Sequence, residues 1–277
     1  MWISLSKTLT FVALFLLFIQ SMVHAQNHIV YLAGEGVPES EAAYNERVDQ
    51  IRPGSTVVFQ KNGFEKSFRV GQLLGRGHTT AIFELLDHPS WVLRVPRIDP
   101  RSEVSKGVYE RGDWINKTFD GYKLLVQEGL PVVRIHEYQK DLYVIVDRVS
   151  GFTFQDFLFN TEKLNLSEYQ VKSIERQLFD FVMKVSRFET IGDFHAAQII
   201  YDKTRGWTII DWTAESSLYK GHGESPFDFV SRYLLLELFD LKSEKGRWQR
   251  RVTVEILERI QQVRDSLAKN SCQKLFN

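Results

Sequence analysis

GDFHAAQIIYDKTRGWTIIDW, residues 192–212, sets two carboxylates in apolar surroundings: Asp193 stands before one strand-like run and Asp211 ends another. Runs rich in Ile, Trp, Tyr and Thr suit strands, so the segment predicts a hairpin with an acid at either flank. Aspartate is also common in turns, and two turn-forming acids are the plain alternative to a pair that does chemistry.

The hairpin interrupts a helical half of the chain. Upstream, Ser167-Glu168-Tyr169-Gln170 has the form of a capping box, and Ile174, Leu178, Phe181, Val182 and Val185 share one helical face, which predicts a core-facing helix. Downstream, DFVSRYLLLELFDL and the stripe of Ile256, Ile260, Val263 and Leu267 predict packing helices; a partner-binding stripe is the alternative. Earlier, from Lys66, three strand-like runs follow one another, SFRVGQLLG, TAIFELL and SWVLRVP, predicting an antiparallel meander. A helical stretch from about Glu103 to Glu128 is stopped by Gly129-Leu130-Pro131. The strand-like runs VVRIHEY and LYVIVDRV come next, and Ser150-Gly151 breaks the chain. Before Lys66, HIVYLAGEG, SEAAYNERVDQI and PGSTVVFQ predict strand, helix and strand, with no role assignable to residues 26–65.

With 35 basic and 35 acidic residues among 277, the chain has no electrostatic bias toward nucleic acid or anionic membranes. Its start reads as an export signal over residues 1–25: Lys7, an apolar run from Leu9 to Ile19, and a small-residue end at Val23-His24-Ala25. The apolar run is shorter than the ~20 residues that span a bilayer, which favours cleavage over an uncleaved anchor. Export, periplasmic or secreted, is therefore expected, with no membrane span after cleavage. The single cysteine, Cys272, has no partner within the chain, so stability must come from the core. Asn116-Lys117-Thr118 and Asn165-Leu166-Ser167 match a glycosylation pattern that arises often by chance.

Leu74-Gly75-Arg76-Gly77-His78-Thr79-Thr80 joins two strand-like runs, and Gly75 and Gly77 would let backbone amides approach a phosphate. A strand follows the turn where a dinucleotide-binding motif would have a helix, which excludes that reading; an ordinary hairpin remains open. In the order of its pieces, from about Lys66 to Leu241, the chain resembles the protein-kinase-like superfamily. GDFHAAQ and IIDW resemble the HGDxHxxN and IDW motifs of aminoglycoside and choline-type small-molecule phosphotransferases more than the motifs of typical protein kinases. Ile191 replaces the first histidine, and Gly192 stands where protein kinases have arginine.

The resemblance implies an α+β, two-lobed fold. It comprises a kinase-like N-lobe over residues 66–149, a five-stranded antiparallel sheet with one helix, and a mostly helical C-lobe over 150–277. It further implies ATP and Mg²⁺ as cofactors. The glycine turn, with Gly75, Gly77, Thr79 and Thr80, would cover the phosphates. Arg94 stands where the family has lysine, and Asp120 where it has the helix acid, with Glu110 a less well spaced rival. The Asp147 carbonyl and Val149 amide would meet the adenine edge. Asp193 would be catalytic, accepting or orienting the hydroxyl's proton, while Gln198, at the usual asparagine position, and Asp211 would hold the metal. His195 would shape the loop by hydrogen bonding, and Asp228, seventeen residues past Asp211, resembles the buried acid after the activation segment.

The activity so implied is phosphoryl transfer to a hydroxyl of a small molecule or protein; the acceptor and the oligomeric state are not legible. Because Arg94 and Gln198 depart from the family pattern, the rival is an exported pseudokinase, a nucleotide-binding or protein-interaction module. A purely structural domain is a second rival. Export raises the further question of where ATP would come from outside the cytoplasm.

Overall fold

The computed structural model describes residues 28–33, 40–61, 63–77, 79–97, 112–185, 191–192, 194, 196–212, 223–224, 258 and 262. The chain divides into two units, Met1–Gly112 with Gln139–Ile145, and Asp113–Tyr138 with Val146–Asn277.

The first unit begins with β1 (Ile29–Ala33), α1 (Glu41–Gln50) and β2 (Thr56–Lys61). Ser40 caps α1 by accepting from the Ala43 amide at 3.3 Å, and Tyr44 and Val48, four apart, bury one face. The helix lets β1 return parallel to β2, Ile29 opposite Thr56 and Tyr31 opposite Val58. Then β3 (Phe64–Arg76), β4 (Thr80–Leu85) and β5 (Trp91–Pro96) form the expected antiparallel meander. β3 also pairs antiparallel with β2 from Thr56↔Arg69 to Lys61↔Phe64.

With β6 (Ile135–Gln139) and β7 (Tyr143–Asp147) the sheet has seven strands in the order β1-β2-β3-β4-β5-β7-β6. This corrects the expected five. Residues 26–65 read as strand, helix and strand, but nothing in their pattern announced that β2 would extend the meander at β3. Aromatic packing fills the core of this unit: Tyr143 lies 4.7 Å from Phe59 and 5.0 Å from Phe68, ring centre to ring centre.

In the second unit α2 (Asp113–Gln127) ends as Gly129-Leu130-Pro131 predicts. Gly129, at φ +71°, donates to Val126 O and Leu130 donates to Leu125 O, both at 3.0 Å, the paired bonds of a left-handed glycine cap. The start of the expected helix, including Glu103 and Glu110, lies outside the described residues.

After β8 (Phe152–Thr153) come α3 (Phe154–Phe159) and α4 (Glu168–Val185). Ser167 and Gln170 make the reciprocal bonds of the expected capping box, at 2.9 and 3.3 Å. Ile174, Leu178, Phe181, Val182 and Val185 are all buried, as their spacing predicts. β10 (Ile199–Asp202) pairs with β8 and with β11 (Gly206–Ile209), while β9 (Ile191–Gly192) pairs with β12 (Gly223–Glu224). The unit is thus mixed, with small sheets among its helices. The two C-terminal packing helices expected from the sequence lie outside the described residues. Among those described, no helix is long and apolar enough to cross a membrane.

Candidate functional site

Residues 199–209 fold as the expected hairpin. β10 and β11 pair antiparallel from Ile199↔Ile209 to Asp202↔Gly206. The turn is built by Asp202, whose carboxylate accepts from the Thr204 amide at 2.8 Å, the Arg205 amide at 3.2 Å and the Thr204 hydroxyl. Burial pushes the Asp202 carboxyl up, but these bonds outweigh it and hold it below its ordinary value. At the turn end Trp207 Nε1 donates to Ile174 O at 3.2 Å, which locks the hairpin onto α4.

The open end holds the two groups expected to bind metal. Ala196–Gln198 is one turn of 3-10 helix, and the Ile210 amide donates to Gln198 O at 2.9 Å, extending the ladder by one step. Asp211 therefore leaves the strand beside Gln198, whose Nε2 lies 3.5 Å from Asp211 Oδ2. Neighbours hold this end in place. The Trp212 amide donates to Asp211 Oδ1 at 3.1 Å, and the fully buried Trp212 ring donates from Nε1 to Thr118 O on α2 at 2.9 Å. Ile209 exchanges bonds with the 131–133 segment, donating to Pro131 O at 2.8 Å and accepting from the Val133 amide at 3.1 Å.

A carboxylate and an amide side by side can offer two oxygens to a hard cation such as Mg²⁺, which keeps waters and phosphate oxygens for its remaining positions. The donor set fits on one condition. As placed, Gln198 presents N–H to the carboxylate, and its Oε1 faces the same space only when the amide turns over. Among the described residues no group of three His, Cys, Asp or Glu could hold a metal ion. Asp193, His195 and Asp228 lie outside the described residues.

The other expected positions fall as follows. In the second unit Asp120 is on the exposed side of α2, paired with Lys123 on the same helix at 3.4 Å, whereas Trp114, Ile115, Thr118 and Leu125 face inward. Val149 follows β7 and is half-buried.

Asp147 was expected to act through its backbone, yet its side chain is the hub of a network that spacing did not reveal. Its carboxylate takes His136 Nε2 at 2.7 Å, the Arg134 amide at 3.1 Å and the guanidinium of Arg205, 58 residues away in the hairpin turn. Burial pushes the Asp147 carboxyl up; the bonds from Arg205, His136 and Arg134, with the charge of Arg205, override it and hold the carboxyl below its ordinary value. The Asp147 amide donates to Arg134 O at 3.0 Å, so the end of β7 is tied by backbone and side chain together. No signal in the sequence marks His136 or Arg205 as its partners.

In the first unit, a backbone bond joins the flanks of the glycine turn. Gly77 donates to Thr80 O at 2.8 Å, with Gly75 opposite Ile82 on the adjoining strands. Thr79 and Thr80 are buried, and Thr79 O accepts from the Arg97 amide at 2.8 Å. Arg94 lies opposite Ile82 on β5 and is only 2 % exposed.

No family model and no curated protein matches the chain. A solved structure described as "PpkA-294 apo form" overlaps it with a TM-score of 0.40 at 14% identity, over 61% of this chain and 62% of that one. The chain thus spans less than two thirds of that structure's length. An overlap of this extent fixes neither fold nor activity.

Proposed function

We propose that the protein is an exported, kinase-like phosphotransferase that moves a phosphoryl group from Mg-ATP to a hydroxyl. The observation that carries this reading is the open end of the β10–β11 hairpin, where Gln198 and Asp211, the two groups the resemblance assigns to metal, stand 3.5 Å apart. Supporting it, the meander β3–β5 carries the glycine turn between its first two strands.

In this reading Asp211 and an overturned Gln198 amide would hold Mg²⁺, which when bound would supply charge stabilisation to the phosphates. Asp193 orients the acceptor hydroxyl and takes its proton. The glycine turn and Arg94 hold phosphate oxygens, and the backbone around Asp147 and Val149 meets the adenine edge.

Arginine at position 94, where the resemblance has lysine, favours a second reading. A guanidinium at a lysine's position presents a planar fork rather than a compact point charge, which suits nucleotide binding without turnover. The two readings separate cleanly. Mg-ATP should raise the melting temperature of the mature protein, and Asp211→Ala should abolish the rise; no rise with ATP in wild type, with or without Mg²⁺, refutes nucleotide binding altogether. ATP turnover present in wild type and absent in Asp193→Ala supports the enzyme, while binding with equal, negligible turnover in both supports the pseudokinase.

A further inference from the structure

The N-terminal segment that sequence alone left without a role carries a contact to the glycine turn. Asp49, one residue from the end of α1, accepts from Arg97 at both oxygens: Nε reaches Oδ1 at 3.0 Å and Nη2 reaches Oδ2 at 3.3 Å. Oδ1 also lies 3.0 Å from Nη2 of Arg76, the residue between the two glycines. An acid in the last turn of a helix opposes the helix dipole, an unfavourable placement that the two guanidiniums offset.

Arg97 passes the contact on. It is 7% exposed, its Nη1 has no hydrogen-bond partner among the described residues, and its amide holds Thr79 O at 2.8 Å. One carboxylate therefore reaches the turn twice, directly through the Arg76 side chain and indirectly through Arg97, whose amide holds Thr79 O from the far end of β5. A buried fork paired with carboxylate is a rigid link, because letting go leaves a desolvated charge.

We propose that Asp49 is a positioning residue for the glycine turn, holding Gly77, Thr79 and Thr80 where their backbone receives phosphate. The holding of the turn stands on the contacts above; its use for phosphate rests on the phosphotransferase reading. Removal of the grip should loosen the turn and weaken binding of phosphates without touching recognition of the nucleoside.

The test uses the full mature protein, wild type beside Asp49→Asn and Arg76→Gln. Because Asp49→Asn leaves the buried Arg97 uncompensated and can unfold the unit, Arg76→Gln, at a side chain 37% exposed, is the decisive variant if it does. Amide exchange at Gly77 and Thr80 should quicken about tenfold, with the Ile210 amide of the second unit unchanged. Mg-ATP should bind about tenfold more weakly while adenosine binds as before. Unchanged exchange at the turn in folded Arg76→Gln overturns the proposal, and equal losses for ATP and adenosine overturn its phosphate-specific part. Wild type that binds neither ligand refutes the phosphotransferase reading and the phosphate role with it, and the exchange rates still decide whether Asp49 holds the turn.

Discussion

Gly151→Ala should be among the most damaging single-methyl additions to the second unit. A Cβ at Gly151 would sit 1.8 Å from Tyr201 O and 2.9 Å from the Tyr201 carbonyl carbon, on the backbone of β10. Real contacts do not fall below 3.0 Å, so β8 and β10 must part by at least about 1.2 Å, the difference between 3.0 and 1.8. Neither side can yield by rotating a side chain, since the obstacle is main chain. That separation breaks the short ladder Ile200↔Thr153 and Tyr201↔Phe152 and pulls Phe152 away from the Tyr201 ring, 5.3 Å off. Two weakened backbone bonds at about 1 kcal/mol each and a strained aromatic contact bring the expected loss to about 3 kcal/mol. Urea unfolding followed by tryptophan fluorescence measures it, with Gly75→Ala as the reference. There the nearest atom is Ile82 Cδ1 at 3.8 Å, so the added methyl should be neutral or slightly stabilising. A loss below about 1 kcal/mol for Gly151→Ala, or equal losses for the two variants, refutes the close approach of β8 and β10.

The Asp147 network predicts a pH dependence with a definite sign. Because the folded carboxyl lies below its ordinary value of 3.8, its contribution is full above that value and is lost as pH falls through the folded value. Urea midpoints should fall on acidification below about pH 5, less steeply in Asp147→Asn than in wild type; parallel profiles count against the network. Gln198→Asn shortens the side chain that meets Asp211 by one methylene and gives the residue type of the motif that the sequence resembles. It should tighten Mg²⁺-dependent ATP binding, read as a lower Mg²⁺ concentration at half-maximal thermal shift, and a higher concentration would show that the longer amide is the one that fits.

Legibility followed the range of the interactions. The glycine cap after α2, the Ser167–Gln170 box and the buried face of α4 were readable because each depends on residues within a turn or two of each other. The hairpin at 199–209 was readable for the same reason. The resemblance implies a binding role for Asp120, and what the structure adds is its local setting, an exposed pair with Lys123 on the same helix. At Asp147 the family pattern drew notice to the backbone, while the carboxylate's partners, 11 and 58 residues away, had no local mark.

By itself the amino-acid order marked the runs that became β1 to β7, β10 and β11, the helix α1, the end of α2 and the cap and buried face of α4, and the resemblance it carries assigns Asp193, Gln198 and Asp211 a shared task. Only tertiary structure decided that β1 and β2 extend the sheet to seven strands, that Asp49 grips Arg76 and Arg97, and that Arg205 closes on Asp147. The physical reason is common to all three. Backbone periodicity and capping are encoded residue by residue, whereas strand partners and buried ion pairs are chosen by whichever surfaces can be desolvated together, a property of the whole folded chain.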